Sequence, residues 1–595
     1  MKKLKFFLST FIASALSLSL LASCGSGTAN NSTTTQAPAT TTTTTTQAAA
    51  TTTTQAPNTT AAANDPLMDP TGTLSPDKPI TISLVTITSK PVPAADNKIA
   101  KLLKDKLGVT LTYDIVNSDS QDQKIGTLLA GGQYPDLIGT GDNQFRLLKG
   151  GAFIKLDDML ATGKYQNLVN HIQPVLKRVS WAGSDGVAPG VYIFPNYNRF
   201  YGQVQAGQYY GPGFFIQKRV LEDAGYPDLS NMTLDKYFSL IENYLAKNPE
   251  TNGVKNIGFT MLDSAGHEWG LTNPPALLAG SPNNGGVIVD KNNVATIYAD
   301  KDIAKTYFQK LNEEYAKGVV DPEAFSQTND QYAAKIATGA VLGMHDQAWN
   351  FGSATDSLRA AGKDNMTYVA LMPVYDGATP YYQDRAVMNL QQGYGISKSC
   401  KNPEVVLQFL NVMMSEAWQK VFEWGIQGED YMVDANGMYY RTDQQRANAK
   451  DLTWKASNKL EAFYDQMAKY QGTFPDGNAD SPDNQPSEFF ASLTAYDQAF
   501  LKAYNKQTWC QFLNPAPDNP VYYPCWNIPL SDAANEANQQ MTDTGTQYLP
   551  KAITDTTANF EANWQAYIDA LHKIDIKTYE DEINAGIKQR IADWQ

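Results

Sequence analysis

The sequence predicts an α/β protein in which parallel strands are flanked by helices and the chain divides into at least two lobes. One observation is the regular alternation of strand and helix patterns from residue 80 onward. The second is length, because the stretch from about Pro79 to Gln595 exceeds what one hydrophobic core normally supports.

The first elements show this alternation most clearly. Apolar and polar residues alternate over Ile80–Ile87, which is typical of a strand. Residues 96–107 place their apolar side chains on one helical face, and Gly108 follows where a helix C-cap favours positive φ. The same reasoning predicts a strand over 109–115, a helix over 120–130 and a short strand over 136–138. This β-α-β-α-β order predicts a parallel sheet with ligand crevices beyond the carboxyl ends of its strands.

A longer helix is predicted after Asn402-Pro403-Glu404. Asn402 suits an N-cap, Pro403 suits the first helical position and Glu404 complements the helix dipole. The apolar periodicity continues to about Trp424, so we expect one helix with a buried face.

The N-terminus has the features of a secretion signal. Three lysines precede an uncharged apolar run from Phe6 to about Leu21, which is too short for a convincing transmembrane helix. The run ends in Leu-Ala-Ser-Cys24, which resembles a bacterial lipobox. The resemblance implies that residues 1–23 are removed and that the thiol of Cys24 is acylated. An ordinary signal peptide with an incidental Cys24 is the alternative.

A low-complexity segment follows, and we assign residues 24–76 to it. No charged residue lies between Cys24 and Asp65, and the sequence there consists of Thr, Ala, Gln, Asn and Ser with scattered Pro. Such a composition cannot bury enough surface to offset the entropy of ordering. We therefore expect a disordered tether.

Composition limits the ligand classes. The formal net charge of −14 argues against nucleic acid or anionic lipid as a partner. Charged residues make up 18% of the chain and aromatic residues 11%, a balance that suits a neutral polar ligand. The sequence lacks GxSxG, HExxH, GxxxxGK and GxGxxG elements, which argues against an enzyme.

Cysteine usage is sparse. Cys510 and Cys525 are spaced to close a loop disulfide in an oxidising exterior, or they remain two separate thiols. Cys400 is expected to be an unpaired surface or partly buried thiol. No CxxC pair supports a zinc site.

A series of landmarks spans nearly the whole chain after the tether. They are LLAGGQYPDLI at 128–138, GGAFIKLD at 150–157, FFIQKRVLEDAG at 214–225, Gly343-Met344 leading to Trp349, GISKS at 395–399 with Asn402-Pro403-Glu404, and GIQGEDY at 425–431. Each is degenerate, but their order and spacing are specific. Together they resemble the extracellular solute-binding proteins of family 1, in particular the large lipoproteins that serve oligosaccharide ABC importers.

The resemblance implies a type II, periplasmic-binding-protein-like fold with two lobes, each a mixed sheet flanked by helices. Hinge strands would cross near 195–212 and 371–373. The N-lobe is expected over 77–197 with 375–425, and the C-lobe over 198–374 with 426–595. The family also implies a monomer, lipid-anchored on the outer face of the bacterial cytoplasmic membrane, that passes a sugar or oligosaccharide to an ABC permease. A carbohydrate sensor or adhesin on the same scaffold is the alternative, with a secreted glycan-active enzyme a more remote one.

Sugar capture requires aromatic rings to stack on a pyranose and polar groups to satisfy its hydroxyls. In the family such polar residues follow the strand at 136–138, which points to Asp142 and Asn143. An Asx turn that caps the next helix is the alternative. The aromatic residue that some relatives carry in this loop is absent, so stacking there is in doubt.

The remaining site candidates lie mostly in the C-lobe. Trp349 follows a predicted strand at a position where the family has a sugar platform, and a core Trp is the alternative. Asp346 and Gln347 would line the same mouth. His267, Glu268 and Trp269 follow the strand pattern at 257–261, with simple loop packing as the alternative. Weaker candidates are Tyr209, Tyr210, Gln391, Gln392 and Trp526.

No cofactor is expected, although one loop resembles a calcium loop of some relatives. Its ligand positions would be Asn248, Glu250, Asn252 and Asn256. Calcium prefers several carboxylates, and Glu250 is the one carboxylate in the loop. The interpretation we favour is an Asn-Gly turn.

Overall fold

The described part of the chain runs from residue 65 to residue 594 of a computed structural model, apart from residues 118–119, 182, 184–185, 197, 202–205, 264–266, 383–391 and 515–519. For residues 198–201 and 594 only the backbone is described. The predicted signal peptide, the lipidation site Cys24, the tether up to residue 64 and the candidate Gln391 lie outside the described residues.

Helices and strands alternate over most of this range. The strands are β1 (Ile80–Ile87), β2 (Val109–Val116), β3 (Leu137–Gly139), β4 (Ile193–Pro195), β5 (Asn198–Tyr201), β6 (Pro212–Gln217), β7 (Glu250–Thr251), β8 (Val254–Lys255), β9 (Ile257–Thr260), β10 (Val287–Val289), β11 (Ala295–Ile297), β12 (Val341–Gln347), β13 (Tyr368–Leu371), β14 (Gly393–Ile396), β15 (Met432–Val433), β16 (Tyr439–Tyr440) and β17 (Lys469–Gly472).

The helices are α1 (Lys98–Leu107), α2 (Gln121–Gly131), α3 (Gln144–Lys149), α4 (Asp157–Leu160), α5 (Gln166–Ile172), α6 (Leu176–Val179), α7 (Lys218–Asp223), α8 (Leu234–Lys247), α9 (Trp269–Thr272), α10 (Pro274–Leu278), α11 (Asp302–Ala316), α12 (Asn329–Ala337), α13 (Gly352–Ala360), α14 (Pro403–Met413), α15 (Glu416–Glu423), α16 (Asp443–Lys450), α17 (Leu452–Asn458), α18 (Glu461–Tyr464), α19 (Pro486–Ser492), α20 (Ala495–Ala503), α21 (Asp532–Thr554), α22 (Phe560–Leu571) and α23 (Ile576–Trp594). Short 3₁₀ helices lie at Gln173–Val175, Asp364–Met366, Pro482–Asn484, Trp509–Phe512, Cys525–Asn527 and Thr557–Asn559.

The first lobe is built on a mixed sheet with the strand order β2-β1-β3-β14-β4. β1 pairs in parallel with β2 and β3, and β14 runs antiparallel to β3 and β4. Alternate residues of β1 serve two cores, because Ile82 and Leu84 pack on one face while Val85 and Ile87 pack on the other. Helices cover both faces, as the sequence predicts.

Local capping explains why α1 begins and ends where it does. The Asn97 side chain accepts a hydrogen bond from the Ala100 amide at 3.0 Å. Gly108 adopts φ 69° at the C-terminal end, a conformation that costs glycine little. The chain can then turn directly into β2.

The second lobe contains a mixed sheet with the order β13-β6-β12-β9. β12 pairs in parallel with β9 and antiparallel with β6. The large core of the second lobe also includes side chains of the C-terminal helices, such as those of Leu549, Trp564 and Ile587. The two mixed sheets confirm the predicted fold class.

Within the described range, the chain passes between the two lobes at three places. β4 belongs to the first sheet and β6 to the second, so one crossover lies within 196–211. β13 belongs to the second sheet and β14 to the first, so another follows Leu371. A third passage joins β17 to α19, because residues up to Ala468 pack in the core of the first lobe and Phe489 packs in that of the second.

Two of the expected lobe boundaries differ in the structure. Leu460, Phe463 and Met467 pack in the core of the first lobe, although the sequence places them in the second. Tyr382 packs in the core of the second lobe, although the sequence places it in the first. Both stretches follow loops, and an apolar sequence pattern predicts that a residue is buried but not in which of two cores it is buried.

The expected tether is too long, because residues 65–76 pack on the first lobe. Leu74 is 1% exposed and lies in the lobe's core. Gln408 Nε2 donates a hydrogen bond to the buried Asp69 carboxylate at 2.9 Å, and Trp418 Nε1 donates to the Leu67 carbonyl at 3.1 Å. These contacts fix the segment to α14 and α15.

The helix predicted from Pro403 to Trp424 is divided into α14 and α15. Ser415 lies between them, and its side chain accepts a hydrogen bond from the Trp418 amide as a new N-cap. Asn402 precedes α14 without a side-chain capping bond. Over the described residues, no helix is both long and apolar enough to cross a membrane.

Candidate functional site

The loop after β3 presents Asp142 at the carboxyl edge of the first sheet. Its carboxylate accepts hydrogen bonds from Gln392 Nε2 at 2.7 Å and from Gln121 Nε2 at 3.0 Å. Beneath it, the Thr140 hydroxyl accepts a bond from the Gly393 amide at 3.1 Å. Two predicted site residues, Asp142 and Gln392, are therefore in direct contact although they lie 250 positions apart.

Asn143 is placed differently from Asp142. Its side chain is buried, and Nδ2 donates to the Asp122 carboxylate at 2.9 Å. It precedes α3 without making a side-chain capping bond, so the capping alternative does not hold either. Through this bond to Asp122, Asn143 holds the loop that carries Asp142 against α2.

An inter-lobe cavity of about 810 Å³ opens beside Asp142 and Gln392. On the first lobe it is lined also by Phe145 and Trp181, whose rings lie 5.6 Å apart. On the other side it is lined by Trp526, which is exposed and lies beside residues of the second lobe's core. The cavity thus brings together predicted residues from both lobes.

Phe145 and Trp181 are functional candidates that the sequence reasoning missed. The loop was expected to lack an aromatic residue, but Phe145 supplies one from the first turn of α3 and is partly exposed. The signal was present, since an apolar ring next to two polar loop residues is unusual on a short surface helix. Trp181 reaches the same place from a distant segment, which no sequence spacing reveals.

Two arginines close one side of the inter-lobe cavity. Arg590 donates to the carbonyls of Tyr522 at 2.7 Å and Asn527 at 3.0 Å, and Arg178 donates to the Val521 carbonyl at 3.2 Å. Burial lowers the pKa of Arg590 to about 10, with a further contribution from the charge of Arg178. Arg590 thus fixes segment 521–527 to α23, and Arg178 bonds the same segment from the first lobe.

The second lobe carries an aromatic cluster formed by three of the predicted residues. The His267 and Trp269 ring centroids lie 5.6 Å apart, and those of Trp269 and Trp349 lie 5.7 Å apart. Trp349 follows β12 by two residues and is 59% exposed, so it is not a core Trp. Glu268 lies between His267 and Trp269. Burial raises the pKa of the nearby Asp263 to about 6, with a smaller contribution from the charge of Glu268.

Asp346 supports this cluster from below. Its buried carboxylate accepts hydrogen bonds from the Tyr332 hydroxyl at 2.6 Å, the Gln347 amide at 2.6 Å and Asn350 Nδ2 at 3.1 Å. Burial raises the pKa of Asp346 to about 6. It therefore fixes the end of β12 and does not face solvent, whereas Gln347 is partly exposed at the strand end.

His345 lies beside Asp346 in β12 and is also buried. Its Nδ1 lies 3.0 Å from the Gly270 carbonyl, which joins β12 to α9. Burial lowers the pKa of His345 to about 4, so the ring is neutral at physiological pH. This contact holds the segment that carries Trp269 against the strand that leads to Trp349.

The two tyrosines of the first crossover have different environments. Tyr209 is buried in the second lobe's core, and its hydroxyl donates to the Pro212 carbonyl at 2.6 Å. Tyr210 is exposed. Of the pair, Tyr210 alone presents its ring to solvent.

A second cavity, of about 580 Å³, lies at the same edge of the first sheet, beside Lys90 just beyond β1. Its lining includes Arg441, Lys459, Lys469 and Asp483, and we call it the cation-rich cavity. Burial lowers the pKa of both Lys459 and Lys469 to about 8, and it also lowers the pKa of Arg441. These cations have given up much of their hydration.

With this geometry defined, comparison with known proteins assigns the family. The sequence matches that of the bacterial extracellular solute-binding proteins over residues 98–426. The chain belongs to this family. Its members are binding proteins, which agrees with the expectation that the chain is not an enzyme. A comparison with curated proteins finds no match.

Solved structures of similar fold support the two-lobed architecture of this solute-binding protein. One is an HMO-binding, ABC-transporter-associated solute-binding protein from Bifidobacterium longum infantis, with 16% identity, a TM-score of 0.58, and coverage of 86% of this chain and 99% of that one. Another is FusA of S. pneumoniae in complex with kestose, with 16% identity, a TM-score of 0.55, and coverage of 86% and 100%. A third is the alginate-binding protein AlgQ2, with 15% identity, a TM-score of 0.51, and coverage of 86% and 98%.

Of the two alternatives for Cys510 and Cys525, this solute-binding protein has two separate thiols and no disulfide between them. Cys525 is a buried thiol whose amide donates to Asn284 Oδ1 at 3.0 Å, while Cys510 lies in a 3₁₀ helix whose amides reach the Gly207 carbonyl. Different neighbours thus hold the two residues in place. Cys400 is a partly buried thiol, as expected.

The loop at 248–256 folds as the predicted Asn-Gly turn. Asn252 and Gly253 both have positive φ and connect β7 to β8. The Asn256 side chain donates to the Asn248 carbonyl at 2.8 Å and accepts from the Thr251 hydroxyl at 2.7 Å. The Arg219 guanidinium also reaches Thr251, at 2.9 Å, so a positive charge occupies the surroundings that calcium would need. Over the described residues, no cluster of His, Cys, Asp and Glu is suited to a metal ion.

Proposed function

We propose that this solute-binding protein captures an oligosaccharide between its two lobes and delivers it to the membrane subunits of an ABC importer. The observation that supports it most is the inter-lobe cavity, which combines Asp142 and Gln392 with the aromatic rings of Phe145, Trp181 and Trp526. Carboxylate and amide groups satisfy sugar hydroxyls, and flat rings cover the apolar face of a pyranose. A volume of about 810 Å³ has room for more than one sugar ring.

The aromatic cluster of the second lobe extends this surface. Trp349 presents an open ring face, and Trp269 and His267 hold it in place through successive ring contacts. A chain of contacts relates the cluster to Trp526, because the Tyr298 hydroxyl bonds the carbonyls of both Thr272 and Gly285, and Gly285 lies against Trp526. We propose that these rings form one wall of the ligand site.

The predicted site residues then divide into two groups by role. Those proposed to touch the ligand are Asp142, Gln392, Trp526, Trp349, Trp269, His267, Glu268, Gln347 and Tyr210, with Gln391 as a further candidate from the sequence. Those proposed to position them are Asn143 and Asp346, because their polar atoms are buried and already hydrogen-bonded. Tyr209 belongs to the core.

The proposal includes a lipid anchor at Cys24 and a flexible segment before residue 65. Anchoring keeps a diffusing binding protein close to its importer and raises the effective concentration without new contacts. Metabolic labelling with palmitate should mark the wild-type chain and not Cys24→Ala, which should appear in the medium. Equal labelling of both chains would remove Cys24 as the anchor.

Calorimetry against a panel of neutral and acidic oligosaccharides tests the proposed ligand class. Saturable binding of a saccharide, with no product detected by chromatography after prolonged incubation, is the expected result. Hydrolysis of the bound saccharide, or failure of every saccharide in the panel to bind, would contradict the proposal.

A further inference from the structure

The cation-rich cavity contains three cations, Arg441, Lys459 and Lys469, that are at least partly buried and form no ion pair with the described residues. Lys459 is 8% exposed, and its ammonium donates to the carbonyls of Phe422 at 3.2 Å and Glu423 at 3.0 Å. Lys469 likewise donates only to backbone carbonyls in the contacts described. The Arg441 guanidinium has no hydrogen bond or ion pair with the described residues, although burial has stripped part of its hydration.

Two other cations around the same cavity are neutralised, while the exposed Lys90 and Lys450 are solvated. Arg446 pairs with Glu488 at 2.8 Å, and Lys455 pairs with Glu461 at 3.2 Å. Arg446 and Lys455 thus have carboxylates in contact, whereas Arg441, Lys459 and Lys469 do not among the described residues. Arg441, Lys459 and Lys469 are left as a local positive excess in a chain whose formal net charge is −14.

Three further carboxyl groups, those of Glu423, Asp465 and Asp483, line the cavity, but none of them forms an ion pair with Arg441, Lys459 or Lys469 among the described residues. Asp483 and Glu423 attract Arg441 electrostatically from beyond ion-pair distance. Buried charges that lack a partner in contact are costly, and the cost falls when an anion of suitable shape enters. A guanidinium fork with free donors matches a carboxylate in two parallel hydrogen bonds.

Gln466 connects the surroundings of the cation-rich cavity with those of the inter-lobe cavity along the edge of the first sheet. Gln466 Nε2 donates to the Ile87 carbonyl at the end of β1, at 3.1 Å. Its Oε1 accepts from the Gly141 amide at 3.4 Å, and Gly141 directly precedes Asp142. Asp465, the neighbour of Gln466, lines the cation-rich cavity. A single extended ligand lying along this edge would reach both cavities.

We propose that the cation-rich cavity binds a carboxylate carried by the saccharide ligand, so that the protein selects acidic oligosaccharides built from uronic acids. Arg441 is the primary carboxylate contact, with Lys459 and Lys469 supplying the surrounding positive potential. Trp454, which lines the same cavity, offers a ring face to the sugar that bears the acid. This inference rests on the proposed function.

The test uses short oligogalacturonate, oligomannuronate and hyaluronan fragments, each beside its carboxyl-reduced neutral counterpart of the same length. Calorimetry with the full chain should show at least one acidic fragment binding roughly tenfold or more tightly than its reduced form, which is about 1.4 kcal/mol. Arg441→Gln should lower affinity for the acidic form to that of the reduced form and leave binding of the reduced form unchanged. Arg441→Lys should retain part of the preference.

Controls separate this inference from general electrostatics and from the proposed function. Lys577→Gln removes one charge from an exposed site on α23 and should leave the preference intact. Because the Arg441 guanidinium makes no hydrogen bond or ion pair with the described residues, and the bond from the Arg441 amide to Glu488 is kept, Arg441→Gln should keep the wild-type melting temperature. Inorganic sulfate, added alone, should bind at least tenfold more weakly than the preferred acidic fragment.

The outcomes are distinct. Equal affinity for acidic and reduced forms, or an equal loss of both in Arg441→Gln, overturns the acidic subsite and leaves oligosaccharide capture standing. Sulfate that binds as tightly as the acidic fragments, and with the same dependence on Arg441, identifies a site for free anions and overturns the saccharide assignment. If no saccharide of either kind binds, the proposed function fails and the inference fails with it.

Discussion

Replacing Trp349 by alanine removes the exposed ring at the centre of the second lobe's aromatic cluster. The neighbouring Trp269 ring lies 5.7 Å away and keeps its own contact with His267, so the loss is confined to one stacking surface. Because Trp349 is mostly exposed, its removal should change the free energy of unfolding little. The expected effect falls on ligand affinity.

The magnitude follows from the exposed area. A tryptophan side chain offers up to about 250 Å², and Trp349 is 59% exposed, which leaves roughly 150 Å² open. A sugar stacked on one face would cover about half of that area. At about 25 cal/mol per Å², the lost contact is worth about 2 kcal/mol, or a roughly 30-fold weaker Kd.

Calorimetry with the saccharide that the wild type binds most tightly measures this change. Trp349→Phe should recover part of the affinity because it restores a smaller ring at the same position. Leu452→Ala, which removes a similarly exposed apolar side chain from α17, should leave the Kd unchanged. If Trp349→Ala binds as tightly as the wild type, the ring lies outside the ligand site and the reasoning is refuted.

Three further predictions concern stability. Burial raises the pKa of Asp346 to about 6 in the folded state, above its value in the unfolded chain. The free energy of unfolding is therefore highest below about pH 4, and it falls by up to about 3 kcal/mol as the pH rises to about 6. Urea unfolding between these pH values should show a smaller fall in the free energy of unfolding for Asp346→Asn than for the wild type. An identical pH dependence in the two proteins would contradict the raised pKa of Asp346. Leu74→Ala should lower the free energy of unfolding by about 2–5 kcal/mol, because Leu74 is buried in the core of the first lobe. Asp77→Ala, at an exposed position, should leave it unchanged. Equal effects of the two changes would mean that residues 65–76 do not pack on the lobe. Asp497→Ala should lower the free energy of unfolding by about 3–5 kcal/mol, because it leaves the buried Lys218 ammonium without its carboxylate partner. Adding Lys218→Met should recover much of this free energy. If it does not, the loss has a cause other than the ion pair.

Elements governed by local periodicity were predictable. The bounds of β1 agree with the alternating pattern, and α1 ends at the glycine that the pattern marks as its C-cap. The division between α14 and α15 was missed because the apolar periodicity continues across it, while the break depends on the Ser415 side chain becoming a second N-cap. Hydrophobic pattern alone does not distinguish a continuous helix from two helices in register.

The site was partly predictable for a related reason. Residues that follow a strand project at a sheet edge, which is why Asp142 and Trp349 are found beside surfaces suited to a ligand. Sequence position does not report burial, so Asp346 and Tyr209 were grouped with them although their polar atoms are satisfied inside the protein. Trp181 was missed because its proximity to Phe145 depends on how two distant segments pack.

The sequence by itself determined the α/β class, the order of the early elements and the family. These properties depend on short-range patterns, caps and motif order, all of which are written along the chain. The tertiary structure alone decided that residues 65–76 join the first lobe, that residues 460–468 complete its core, and that Arg441, Lys459 and Lys469 line one cavity without an ion pair among the described residues. Each of these depends on tertiary contacts that the local pattern does not contain, because burial and the electrostatic potential at a point are sums over everything that packs around it.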